Sequence, residues 1–193
     1  TLFPYTTLFR SDYADKPGHR GISGDGYGFD RDLAKAAMKA GFQLGIHAIG
    51  DAGNRQILDA YAQLIPQYQN VGLRHRIEHA QVVALPDLSR FASLNVIASM
   101  QPTHATSDMN MAEARIGAER LKGAYAWATL LKSGARYAGG SDFPVESPNP
   151  FYGLHAAVTR QDADNAPPGG WIPTEKMTIE QAFAASTTGA AYA

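Results

Sequence analysis

Three side chains with metal-binding chemistry lie at the ends of three separate candidate strands of this sequence: His47 in LGIHAIG, His79 in RIEHAQ and Asp142 in GGSDFPV. Neutral imidazoles and a carboxylate are donors for a divalent cation, with Zn–N and Zn–O bonds of about 2.0–2.2 Å. A carboxylate at such a site can also take and return a proton. Each residue has a plainer reading. A lone strand histidine is more often a hydrogen-bonded core residue, and an aspartate after glycines can be an N-cap or an Asx turn. The argument rests on recurrence at corresponding places. The intervals, 32 residues from His47 to His79 and 63 from His79 to Asp142, belong to no single helix or loop, so only a fold could bring these groups together.

The elements that would position them can be read from periodicity. FDRDLAKAAMKAG carries helical spacing through Phe29, Leu33, Ala36, Ala37 and Ala40, with Gly41 as a stop. Phe42 to Gly50 reads as a buried strand, followed by a helix with Asp51 as a possible N-cap. Leu73 to Ala80 is a second strand, and the helix after it has Pro86 in its first turn. Val96 to Pro102 is a third strand, followed by a polar loop from Thr103 to Met111 and a helix in YAWATLLKSGA. RYAGGSDFPV is a fourth strand that Pro144 ends, and the last helix opens with the capping pair Thr178 and Gln181.

Strands alternating with helices imply parallel pairing through crossovers. An open doubly wound sheet and part of a (β/α)8 TIM barrel both fit. The dinucleotide fingerprint G-x-G-x-x-G is missing at any strand-to-helix turn. The barrel is favoured because polar residues recur where strands end: His47, His79, Gln101 with His104, and Asp142. Active sites of barrels lie on that rim. The expected fold class is therefore α/β, a partial (β/α)8 barrel.

Composition narrows the function further. With 45% apolar and 18% charged residues the chain reads as globular. Seventeen basic residues against 18 acidic ones give a formal charge of −1, no footprint for nucleic acid or an anionic membrane. Without cysteine there is neither a disulfide framework nor a thiolate site. Tyr125, Trp127, Phe151 and Tyr152 read as packing residues. A soluble, cytoplasmic protein is the expectation, with a small-molecule substrate, no nucleic-acid or membrane partner, and scope for a homo-oligomer.

The blocks GIHAIGDAGNRQILDAY, RHRIEHAQVV, ASMQPTHATSDM, GGSDFPVESPNPFYGLHAAVTR and MTIEQAFAASTTGAAYA resemble, in order, the amidohydrolase superfamily. They are most similar to its amidohydrolase-3 branch of YtcJ-like proteins and N-substituted formamide deformylases. The resemblance implies a barrel with one or two divalent metals, usually zinc, at its C-terminal rim, and a C-terminal half in which the four strands are the fifth to eighth. It makes His47 and His79 metal ligands and Asp142 both a ligand and the catalytic proton shuttle. His104 and Gln101 would face the substrate, an amide, formamide or N-acyl amine. Related barrels act instead on cyclic amides, deamination substrates or phosphotriesters, and a catalytically silent metabolite-binding module is the alternative of a different class.

Departures from the family pattern are equally visible. No H-x-H of a first strand and no bridging lysine of a fourth is present, since Lys16 and His19 fit neither motif, and no β-sandwich follows the last helix. The opening TLFPYTTLFRS translates, codon for codon, a common short-read sequencing adapter, so Thr1 to Ser11 read as a non-native scar. Residues 12–28 read as an irregular Gly/Pro-rich lead-in and 29–193 as the half-barrel. Such a fragment is expected to expose an apolar inner face, to bind metal weakly and to lack appreciable catalysis.

Overall fold

The computed structural model describes residues 8–21, 29–68 and 72–193; most of the Gly-rich lead-in, residues 22–28, lies outside the described residues. Four short strands, β1 (Gly45–Ala48), β2 (Arg76–His79), β3 (Ile97–Met100) and β4 (Tyr137–Gly139), form one sheet in the order β1-β2-β3-β4. All three pairings are parallel. Sequential parallel order with a helix in every crossover is the winding of a barrel wall. The helices are α1 (Arg31–Lys39), α2 (Asp51–Leu64), α3 (Leu85–Ser93), α4 (Pro102–Leu121), α5 (Trp127–Lys132), α6 (Pro150–Thr159), α7 (Ile179–Ala184) and α8 (Ala190–Tyr192). A π turn over Ala185–Gly189 joins α7 to α8, and the capping box of Thr178 and Gln181 opens α7 as expected.

One sheet face is apolar. Ala48, Ile77, Ala98 and Met100 are buried against Ile57, Leu58 and Tyr61 of α2, Phe91 of α3 and Trp127 and Leu130 of α5. The other face is only partly the expected apolar interior: Ile97 and Ala138, beside Arg76 and Ser99, are buried on it, while its β1 and β2 end is polar. Register places Gly45 beside Arg76 and His47 beside Glu78, with Ser99 next in line, and none of these five is buried. Arg76 pairs with Glu78 along β2. The C-terminus reaches this face, where Arg76 Nη1 donates to Ala193 O at 3.2 Å.

Several local expectations change. Thr103 to Met111 is helix, not loop: α4 runs from Pro102, the favoured first helical position, and breaks only at Gly117, with φ 76° and ψ 158°. In α1 the buried residues are Ala34 and Met38, while Leu33 is exposed. The N-cap of α2 is Gly50 rather than Asp51. Leu8 O instead accepts from the N–H groups of Ala52 and Gly53 at 3.0 and 3.1 Å, and Asp51 accepts from Arg10 N at 2.9 Å. Phe9 and Tyr13 are buried in the core, so residues 8–13 pack as part of the fold. Tyr125 and Trp127 are buried as expected, but Phe151 and Tyr152 are exposed.

The loop after β2 meets the α4–α5 connection backbone to backbone. Val83 N donates to Gly123 O at 2.9 Å, and a Cβ on Gly123 would lie 1.8 Å from Val83 O. Gly123→Ala should therefore destabilise the chain by at least about 1–3 kcal/mol, the usual cost of overpacking. Urea unfolding would read this directly, and an unchanged midpoint would mean that the two segments can part freely.

Candidate metal centre

Both φ-positive residues of the site depart from ordinary strand geometry. Along β2, alternation would put His79 on the same side as Ile77, and register pairs it with the buried Ala48. Instead His79 has φ 73° and Ala80 φ 43°. That left-handed turn brings the His79 ring to 4.4 Å from the His47 ring, edge to face. Asp142 also has a left-handed backbone, φ 56°. It lies three residues past the end of β4, in a turn closed by Val145 N to Asp142 O at 2.8 Å. The fourth strand is thus shorter than RYAGGSDFPV, and Asp142 sits on a loop rather than on a strand end. Backbone in sparsely populated regions is commonly found at functional sites.

The third strand feeds the same place through α4. Gln101 is its N-cap residue and His104 lies in its first turn. The Nδ1 of His79 is 2.9 Å from Gln101 Oε1. An amide oxygen only accepts, so Nδ1–H donates and the lone pair of Nε2 is left free for a ligand. Gln101 therefore spends its oxygen on His79, and it is largely buried; this geometry suits a positioning residue better than a substrate contact. The His104 ring stacks over that of His79 at 5.9 Å, and its Nε2 lies 3.9 Å from Asp142 Oδ2. Donor atoms of His79, His104 and Asp142 all fall within 4.8 Å of one another.

His47, His79, Gln101, His104 and Asp142 thus gather at one end of the sheet. The grouping differs in detail from the expected ligand set, because the tight three-donor cluster contains His104 in place of His47. His47 stays beside His79 on the open face. The remaining histidines have other partners: His75 accepts from Leu44 N at 3.1 Å, His155 meets Asp162 O at 3.0 Å, and His19 stacks on Tyr13. Beneath the site, Gln81 donates to Asp108 at 2.7 Å, and the Tyr125 hydroxyl donates to the same carboxylate. This buried network was not picked out from the sequence; Gln81, two residues past His79, was its only signal.

Electrostatics favours neutral imidazoles. Burial pushes His104 down to about 3. Desolvation first, then the charge of His79, lowers His47 to about 4, while Asp142 and Glu78 act in the opposite direction. Solvent on the open side of His47 screens its shift. Neutral imidazoles are the ligand form. For stability the sign follows from proton counts. Below pH 6.5 the unfolded chain binds a proton at His104 that the folded chain does not, so stability is full above 6.5 and is lost as pH falls towards 3. Between pH 6.5 and 5, with chelator present, the unfolding free energy should decline with a slope approaching about 1.4 kcal/mol per pH unit from this group. A flat profile there would contradict a buried neutral His104.

The donor set fits a divalent cation. It is two imidazoles and a carboxylate, and both ring nitrogens of His104 are buried without a hydrogen-bond partner among the described residues. Comparison with known proteins points the same way. The family model described as "Amidohydrolase family" matches residues 9–193. The chain is 36% identical over 192 residues to Protein LONG AFTER FAR-RED 3 of Arabidopsis thaliana, covering 97% of this chain and 32% of that protein. It is 32% identical over 187 residues to the putative amidohydrolase YtcJ of Bacillus subtilis (strain 168), covering 96% and 35%. Among solved structures, an uncharacterized metal-dependent hydrolase from Pyrococcus furiosus superposes with TM-score 0.77 at 30% identity, over 97% of this chain and 36% of that one. The chain thus spans about a third of the length of each of these three proteins.

Proposed function

This chain belongs to the amidohydrolase family, and we propose from that premise that it supplies part of the active site of a metal-dependent hydrolase of non-peptide carbon–nitrogen bonds. One observation carries the reading: His47, His79, His104 and Asp142, from four different segments, converge at the ends of successive parallel strands. A silent metabolite-binding module would not require this gathering of donors.

In this reading His47, His79 and Asp142 hold the cation, which we take to be zinc. Bound there, zinc would polarise the scissile carbonyl and lower the pKa of a water to about 7. Gln101 fixes the His79 tautomer through Nδ1. Asp142, half exposed on its loop, accepts the proton of the attacking water at its carboxylate and returns it to the departing nitrogen, base first and acid second. The substrate class is open-chain amides, formamides and N-acyl amines.

The test is activity profiling of the full-length protein on formamides, N-acyl amines, cyclic amides, amino-purines or -pyrimidines, and phosphotriesters, before and after metal chelation. Amide turnover that chelation abolishes and zinc restores is the expected result. Turnover confined to phosphotriesters or bases would move the substrate class. Chelator-resistant activity would remove the metal from the reading.

A further inference from the structure

We propose that His104 is a further protein donor to the cation, forming with His79 and Asp142 the tightest three-donor set, which His47 completes from the open face. The inference rests on the metal reading above and extends it to a residue outside the ligand set that the family resemblance implies.

The first observation is an unmet need. His104 is 1% exposed, and among the described residues neither Nδ1 nor Nε2 has a hydrogen-bond partner. A buried polar group left in that state is destabilising, because it has lost water without gaining a partner. The other well-buried histidine, His75, shows the usual solution, a backbone N–H donating to its ring. His104 has no such partner, so something must satisfy it.

The second observation is the gap in front of it. His104 Nε2 and Asp142 Oδ2 stand 3.9 Å apart, beyond the 2.7–3.2 Å of a hydrogen bond. Two donors each about 2.0–2.2 Å from one zinc ion can be up to about 4.3 Å apart, and about 3.4 Å in a tetrahedron. All three donors lie within 4.8 Å of one another, at most about half an ångström beyond that outer limit.

The third observation is how the ring is placed. His104 sits in the first turn of α4, where Pro102 fixes the entry of the helix and His104 N bonds to Gln101 O at 3.1 Å. The same turn carries Gln101, whose oxygen holds His79. One rigid turn therefore sets both the second imidazole and the tautomer of the first. His47, by contrast, comes from β1 on the solvent-open side.

The experiment is a titration of this chain with Co2+, following its visible d–d bands, for the unsubstituted protein, His104→Gln and His47→Ala. The expected result is one cobalt per chain with a spectrum that changes in His104→Gln, and binding at least about 10-fold weaker, as loss of a metal-site group typically produces. Cobalt binding with unchanged affinity and spectrum in His104→Gln would overturn the role of His104 and leave the metal reading standing. No cobalt binding by the unsubstituted chain would overturn both. Because His104 is buried, a variant could fail to fold. Ring 15N shifts of the unsubstituted chain with and without zinc then decide: movement of a His104 nitrogen supports the proposal, and movement of His79 alone rejects it.

Discussion

Asp142→Asn in the full-length protein should lower the hydrolysis rate by ~10²–10⁴-fold, the usual contribution of a positioned acid or base, with little change in stability. The substitution is informative because asparagine keeps the size of aspartate and tolerates the left-handed backbone of position 142, φ 56°. It removes only the capacity to take a proton and most of the capacity to ligate a cation. These two losses separate by substrate. If Asp142 returns a proton to the departing nitrogen, amides of strongly basic amines should suffer most, because their nitrogen cannot leave unprotonated. Anilides with electron-withdrawing groups should suffer least. Measuring kcat across such a series, with metal content determined in parallel, checks both. Full metal occupancy with wild-type kcat on alkylamides would end the proton-shuttle assignment. Loss of metal with an equal fall on every substrate would leave Asp142 as a ligand alone.

The strand-and-helix alternation was legible because buried parallel strands are short apolar runs bounded by glycine, a form that the run through His47 has, whereas LRHRIEH before His79 is polar and was legible mainly from its place between two helical stretches. The gathering of His79 and His47 was legible as an outcome but not in its cause. Period-two alternation alone would send the two rings to opposite faces, and only the positive φ at His79 and Ala80 reunites them. Nothing in the residue types histidine and alanine announces a left-handed turn. The polar run from Thr103 to Met111 misled for a physical reason: threonine, serine, aspartate and asparagine compete with the helix for backbone hydrogen bonds. Burial of Ala105, Ala112 and Ile116 along one side of α4 outweighs that preference. On a loop the imidazole of His104 would be solvated, whereas on the first turn of a packed helix it is buried and, among the described residues, has no hydrogen-bond partner. Asp51 failed as a cap because the carbonyl of Leu8, distant in sequence, serves the α2 N-terminus.

Arg160→Met should cost about 3–5 kcal/mol of stability, the range for leaving a buried charge without its partner. Arg160 is fully buried at the left-handed end of α6. Its guanidinium lies 4.3 Å from the Trp127 ring centroid and 5.1 Å from that of Trp171. Nε donates to Trp171 O at 2.8 Å and Nη1 to Tyr125 O at 2.9 Å. Burial lowers its pKa to about 10 while Glu175 pulls it back up, so the group remains a cation at neutral pH. Methionine would fill the slot between the rings but remove the side-chain donor to Trp171 O, leave Tyr125 O with the Trp127 N–H alone, and take away the positive charge that acts on the buried Glu175 carboxylate. That carboxylate keeps only neutral donors, Thr129 N at 3.0 Å and Thr129 Oγ1 at 2.5 Å. Adding Glu175→Gln should therefore recover part of the loss, since the unpaired charge is gone. Urea midpoints of the two single variants and the double variant test this, and a double variant no better than Arg160→Met would show that the carbonyls and ring stacking, not the charge pair, set the cost. The consequence reaches the site. Arg160 clamps the backbone of Tyr125, whose hydroxyl donates to Asp108 one turn beyond His104 on α4. Loosening that clamp should weaken cobalt binding even where the fold survives, which ties the stability of the α5–α6 corner to the placement of the metal donors.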